Sequence, residues 1–215
     1  DSARRLLEQN NVLSLLTSGN ESEIPPQLPD LANLYNLIRE RRPRIVLEFG
    51  IGFSTLVIAS ALRDNLQDHN LRGHLFSVDA QKDWIENTQA KIPKELAEFV
   101  TIHHSTLSTR TLEGTLCHMY DSLPDISPNF IYVDGPEGLE VKGDVHGLGF
   151  SNGRSVISAD PLLYESSAPL DFFILVDGRW ETCRFLERHL KGKYRHQAFT
   201  SRKIATFEYV SRRYY

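Results

Sequence analysis

The stretch VLEFGIGFST, residues 46–55, ends an apolar run with a carboxylate, Glu48, and then sets Gly50 and Gly52 one residue apart. Glycines so spaced let the chain turn tightly and let a ligand lie against backbone that a Cβ would cover. Two nucleotide signatures fail here. The dinucleotide fingerprint needs a third glycine where Thr55 stands, and Glu48 would repel the pyrophosphate that such loops bind. No G-x-x-x-x-G-K-[ST] run occurs in the chain. A cationic ligand without phosphate suits the acid better. Asp79 closes a second apolar run, FSVDA, where a carboxylate can accept both hydroxyls of a ribose diol. Each such charge-assisted bond is worth roughly 1.5 to 3 kcal/mol. The same residue can also cap the helix that follows. Asp134 in YVDGPEG and Asp177 in LVDGRW form a matching pair, each read either as a turn-forming Asp-Gly or as part of a reacting centre. On neighbouring strands they would lie about 5 Å apart.

Those residues need strands and loops to hold them. Apolar runs at 44–49, 74–79, 98–104, 129–134 and 171–177 read as buried strands. Helical patterns occupy 54–66, 82–92, 154–166 and 180–190, with weaker helical material over 109–120. Segments 194–199 and 204–210 read as a closing hairpin that turns at 200–203. Alternation of this kind predicts a doubly wound, mostly parallel α/β sheet with crossovers on both faces. Ahead of it, 3–16 and 30–42 are read as helices, the second capped by Asp30, so residues 1–43 form a helical extension of one domain that continues over 44–215. The loop 136–154 carries five glycines together with His146 and Arg154, and reads as a mobile lid.

Composition narrows the function. A net charge of -4 gives no footprint for sequence-independent nucleic-acid binding, and no apolar run approaches the length of a membrane span. Cys117 and Cys183 lie in segments read as helical, far apart and without a C-x-x-C, as reduced core thiols would. With no signal peptide, a cytoplasmic location is expected, and the Asn20-Glu21-Ser22 sequon is then accidental.

VLEFGIGFST with FSVDA resembles motifs I and II of the class I S-adenosylmethionine-dependent methyltransferases, over roughly residues 44–210. The resemblance implies a Rossmann-like, seven-stranded sheet with a C-terminal antiparallel hairpin and S-adenosylmethionine as cofactor. It implies that Glu48, Gly50, Gly52, Ser54 and Thr55 face the methionine and sulfonium portion, that Asp79 holds the ribose, and that Ser105 and Thr106 lie near the adenine. The third strand ends in HHST, without the acid often found there. Asp134 is the first choice for a base or acceptor-positioning group, also facing the cofactor, with Asp177 beside it. His146 is a second base candidate, and Arg154 or Arg179 could clamp an acidic acceptor bidentately. Metal-dependent catechol-type O-methyltransferases carry Asn after the second Asp, where this chain has Gly178, so no metal is expected. DGP with the later GR and VDGR also resembles the polysaccharide (glucuronoxylan) methyltransferases of plant cell walls, a likeness that names no sugar. The acceptor of the methyltransferase reading is oxygen or nitrogen on a small molecule or glycan. A homodimer is possible. The rival readings are a non-catalytic binding module on the same fold and an NAD-linked oxidoreductase.

Overall fold

The computed structural model describes residues 2–17, 25–199 and 203–210. Its main sheet contains β1 (Ile45–Phe49), β2 (His74–Asp79), β3 (Val100–His104), β6 (Phe130–Val133), β8 (Phe173–Asp177), β9 (Tyr194–Phe199) and β10 (Ile204–Tyr209). The order across it is β3-β2-β1-β6-β8-β10-β9. The first five of these strands run parallel; β10 lies antiparallel between β8 and β9, so β9 points the same way as the five. This is the seven-stranded sheet with a terminal hairpin that the sequence implies. The turn read at 200–203 lies largely outside the described residues.

β1 shows why such strands read as continuous apolar runs: Val46 packs into one core and Leu47 into the other, and both are fully buried. On the Val46 face lie α1 (Ser2–Gln9), α2 (Leu13–Leu16), α3 (Leu28–Arg41), α4 (Phe53–His69) and α6 (Lys94–Ala97). Leu7, Val12, Leu16, Leu34 and Ile38 of the extension are at most 2 % exposed and share this core with Val46, Phe130 and Tyr132. At roughly 2 kcal/mol per buried side chain they contribute on the order of 10 kcal/mol, comparable to the whole net stability of a domain. Helix α3 starts three residues earlier than its pattern suggests. Its N-cap is Gln27, Pro29 sits in the first turn where a missing N–H costs nothing, and Asp30 is already helical.

The opposite face corrects the sequence reading. Residues 109–120 are not helical. Instead β4 (Leu107–Leu112) and β5 (Thr115–Tyr120) form a hairpin, joined by β7 (Val141–Lys142) into a second, three-stranded sheet. Its turn is Glu113–Gly114, and both residues have positive φ, as a two-residue hairpin turn requires. Cys117 therefore lies in a strand, while Cys183 lies in helix α8 (Trp180–His189) as read, and both are buried free thiols. The helix read over 154–166 shrinks to α7 (Pro161–Glu165). Helix α5 (Lys82–Lys91) follows β2 as the sequence suggests. Among the described residues, no helix is long and apolar enough to cross a membrane.

Candidate active site

β1 pairs with β2 on one side and β6 on the other, so the chain leaves β1 where strand order reverses. Ligands of open α/β sheets sit outside the carboxyl ends of the strands at that point. A cleft of about 910 Å³ opens there, lined by the loops after β1, β2, β6 and β8 and by residues 25–31 ahead of and within α3. That volume lies within the range that encloses a cofactor-sized molecule. Asp30, Asp79, Asp134, Asp177, Glu137 and Glu140 contribute acids, against the two cations Arg179 and Lys203.

The first loop is built differently from its sequence reading. Glu48 does not line the cleft. It is fully buried beneath the loop, where Oε2 accepts from the hydroxyls of Ser77 and of Thr55, the latter at 2.7 Å. Thr55 Oγ1 in turn accepts the Gly52 N–H at 3.1 Å, so Glu48 braces the loop from behind. Thr55 stands under the loop too, and explains why the third glycine of a dinucleotide loop is absent. Burial pushes the Glu48 carboxyl up to about 7, against the opposing hydroxyls of Ser54, Ser77 and Thr55. Its Oε1 is buried without a partner.

The two glycines divide the work. At Gly50, with φ +99°, a Cβ would lie 2.9 Å from the Gly135 nitrogen, so this glycine lets the loops after β1 and β6 touch. At Gly52 the backbone is extended and a Cβ would meet nothing within 4 Å, in open cleft. Ser54 lines the cleft beside it.

Asp79 lines the cleft and is 7 % exposed. Its Oδ2 accepts the Ile51 N–H at 2.9 Å and its Oδ1 the Gln81 N–H at 2.7 Å, so the carboxylate is fixed while each oxygen keeps a further lone pair. Burial raises its pKa and the backbone N–H groups oppose that rise. Across the cleft, Gln81 Nε2 donates to Glu140 Oε1 at 2.6 Å, joining the loop after β2 to the loop after β6.

At the other end, Val133 pairs with Val176, which brings the next residues, Asp134 and Asp177, to adjacent strand ends as expected. Tyr132 Oη donates to Asp177 Oδ2 at 2.9 Å, and Arg179 Nη2 donates to the Asp134 carbonyl at 2.6 Å. Burial, then the Asp177 charge, push the Asp134 carboxyl up to about 7, with Arg179 opposing. Its surface opens to the cleft, so water there screens part of this rise. Burial also raises Asp177, against the Tyr132 hydroxyl. Among the described residues no group of three or more His, Cys, Asp or Glu is arranged to hold a metal ion.

Besides Glu48 and Thr55, four more residues read as site candidates stand outside the cleft. Ser105 and Thr106 close the base of the β4–β5 hairpin: Ser105 Oγ accepts the Ser122 N–H at 2.8 Å and Thr106 donates to Asp121 at 2.6 Å. His146 and Arg154 are exposed on the 136–154 loop. Phe150, 1 % exposed in the second core and edge-on to His118 of β5, holds that part of the loop against the small sheet, and an Asp144–Gly147 bond at 2.7 Å closes a turn within it. The sequence reading missed Tyr132, Gln81, Trp84, Glu140 and Lys203. Tyr132 had a signal: it lies two residues before Asp134 and so on the same strand face.

Residues 47–148, just under half of the chain, match a family model described as a methyltransferase domain. The fold is that of a class I methyltransferase. The matched segment of this class I fold runs from β1 past β6 and so includes the loops carrying Gly50, Asp79, Asp134 and Glu140. Solved structures agree over nearly the full length. An SAH-bound methyltransferase of Podospora anserina, PaMTH1, is 13% identical with TM-score 0.54, over 98% of this chain and 88% of that one. The O-methyltransferase TomG of Streptomyces achromogenes, involved in tomaymycin synthesis and in complex with SAM, is 14% identical with TM-score 0.53, over 99% and 100%. An O-methyltransferase of Bacillus cereus in complex with SAH is 13% identical with TM-score 0.52, over 98% and 91%. Identity this low shows the shared class I fold. Among curated proteins no match was found.

Proposed function

We propose that this chain is an S-adenosylmethionine-dependent methyltransferase that methylates a hydroxyl oxygen on a small molecule, sugar hydroxyls included. One observation carries the reading: open cleft in front of Gly52, with Asp79 on one side and the Asp134–Asp177 pair on the other. The residues fit the cofactor. A lining of six acids and two cations favours a sulfonium and disfavours a diphosphate, and a carboxylate about 5 Å from a positive charge gains roughly 3 kcal/mol at an effective dielectric of 20. The acids that face the sulfonium are those of the cleft, with Glu48 acting from behind the loop.

S-adenosylmethionine supplies a methyl group activated by its positive sulfur. The protein's share is orientation and one proton. Asp79, fixed by two backbone N–H groups, accepts the ribose diol. Asp134 takes the acceptor hydroxyl proton, and Asp177, held by Tyr132, keeps the neighbouring charge that raises the affinity of Asp134 for it. Arg179 braces the backbone of Asp134. The reading also holds the protein to be cytoplasmic and able to form a homodimer, which sedimentation of the purified chain decides.

Calorimetry with S-adenosylmethionine and S-adenosylhomocysteine tests the cofactor, and binding weaker than about millimolar for both removes the proposal. Transfer of labelled methyl to a panel of phenols, alcohols and sugars tests the reaction. Binding without transfer to any of them leaves a binding module instead. The glycines give a sharper check. Gly52→Val should keep stability within about 0.5 kcal/mol, since its backbone is extended and unobstructed, yet weaken S-adenosylhomocysteine at least about ten-fold. Gly50→Ala should destabilise the fold by about 1 to 3 kcal/mol through its positive φ and the contact with Gly135.

A further inference from the structure

The β3 exit, where an adenine would find its partners, has nothing free to offer. The Ser105 N–H is donated to the Asp79 carbonyl, its Oγ is taken by Ser122, and Thr106 is taken by Asp121; neither residue lines the cleft. The cleft is also lined by Gln81, whose N–H binds Asp79, by Glu140, which binds Gln81, and by Trp84 and Glu137. We infer that Glu140 reads the exocyclic amino group of the nucleobase, an inference that rests on the cofactor reading above.

Glu140 is close enough to Asp79 for that charge to act on it, and it is tied by Oε1 to Gln81, the residue whose N–H orients the Asp79 carboxylate. A ribose held at Asp79 therefore places its base between these residues. Glu140 accepts one side-chain donor, Gln81, at Oε1, and the Glu137 backbone N–H also faces the carboxylate; its two oxygens keep further lone pairs to accept an N–H from the ligand. The Gln81 amide fixes the carboxylate before the ligand arrives, which lowers the ordering cost of that bond. Trp84 adds flat apolar surface at the same end, suited to the face of a purine. An amino group at the purine 6-position is the donor such an acceptor selects; a base without it leaves a partly buried carboxylate oxygen unpaired.

The test uses the full-length protein and two ligands, S-adenosylhomocysteine and its analogue with an unsubstituted purine, which lacks only the amino group. Wild type should bind the analogue about ten-fold more weakly. Glu140→Ala should bind S-adenosylhomocysteine about ten-fold more weakly than wild type does and hold the two ligands within about two-fold of each other. Glu140→Gln, which keeps an acceptor and the side-chain length, should retain part of the preference and guards against a misfolded alanine variant. A ten-fold preference that survives in Glu140→Ala overturns the assignment, as does a wild type indifferent to the amino group. Failure of wild type to bind S-adenosylhomocysteine at all removes the cofactor reading instead, and this inference with it.

Discussion

Asp134→Asn should leave S-adenosylhomocysteine affinity within about three-fold of wild type and slow methyl transfer by about a thousand-fold. Asparagine keeps the shape and the backbone carbonyl that Arg179 binds, and removes only the site that takes a proton. A positioned general base contributes roughly 10² to 10⁴ in rate. The neighbourhood tunes this base towards neutrality. Burial and the Asp177 charge raise Asp134 above the usual carboxylate range, less the part that cleft water screens, so it is mostly ionised near physiological pH and yet holds a proton better than a free carboxylate. The wild-type rate should accordingly climb with pH through a step above the usual carboxylate range and no higher than about 7, as a group that must be ionised dictates, and the residual rate of Asp134→Asn should lose that step. Removing the Tyr132 hydroxyl by Tyr132→Phe should give a smaller loss, because it acts through Asp177. Turnover of Asp134→Asn within ten-fold of wild type would exclude the base, as would a pH step that persists without the carboxylate.

Much of this arrangement is legible in the sequence, and the misses share a cause. The parallel strands announce themselves because both faces of β1, β6 and β8 are buried, which leaves unbroken apolar runs such as FIYV and FILV. The acids at their ends follow directly, since a strand end in this topology is a cleft position. The hairpin of residues 107–120 is harder: Thr, Ser, Arg and His in LSTRTL and TLCHMY carry no clean apolar alternation, because the small sheet packs through Leu107, Cys117 and Tyr120 while Thr109 is buried by bonds to the Lys142 and Gly143 carbonyls. Its one local signal is Glu113–Gly114, a pair suited to a two-residue turn. Glu140 and Gln81 are silent for another reason. They lie 59 positions apart and acquire meaning only when the loops after β2 and β6 meet across the cleft. Glu48 misleads because a conspicuous acid beside two glycines suggests a ligand contact. Which side of the backbone it faces depends on Thr55 and Ser77, one turn into α4 and one strand away.

That difference between bracing and contacting makes Glu48 the site of the second large effect. In the unfolded chain its carboxyl titrates near 4.5, and in the folded protein burial holds it at about 7. Between those values the folded state binds more protons than the unfolded state, so stability falls as pH rises. The contribution is fully present below about 4.5 and is lost once pH passes 7. Between pH 5 and 8 the protein without ligand should lose about 2 to 3 kcal/mol from this residue. Asp160, fully buried and likewise raised to about 7 by burial, adds a loss of the same sign, as does the screened rise at Asp134. Urea unfolding at the two pH values measures the sum, and Glu48→Gln isolates one part. The variant should be close to wild type at pH 5, where Glu48 is already neutral, and more stable than wild type by about 2 kcal/mol at pH 8, where wild type must keep a buried carboxylate with an orphaned Oε1. A variant that shows the same pH 5 to pH 8 difference as wild type would mean that Glu48 ionises freely in the folded protein. Such freedom requires water or a ligand at Oε1, and would return this acid to the cleft side of the loop.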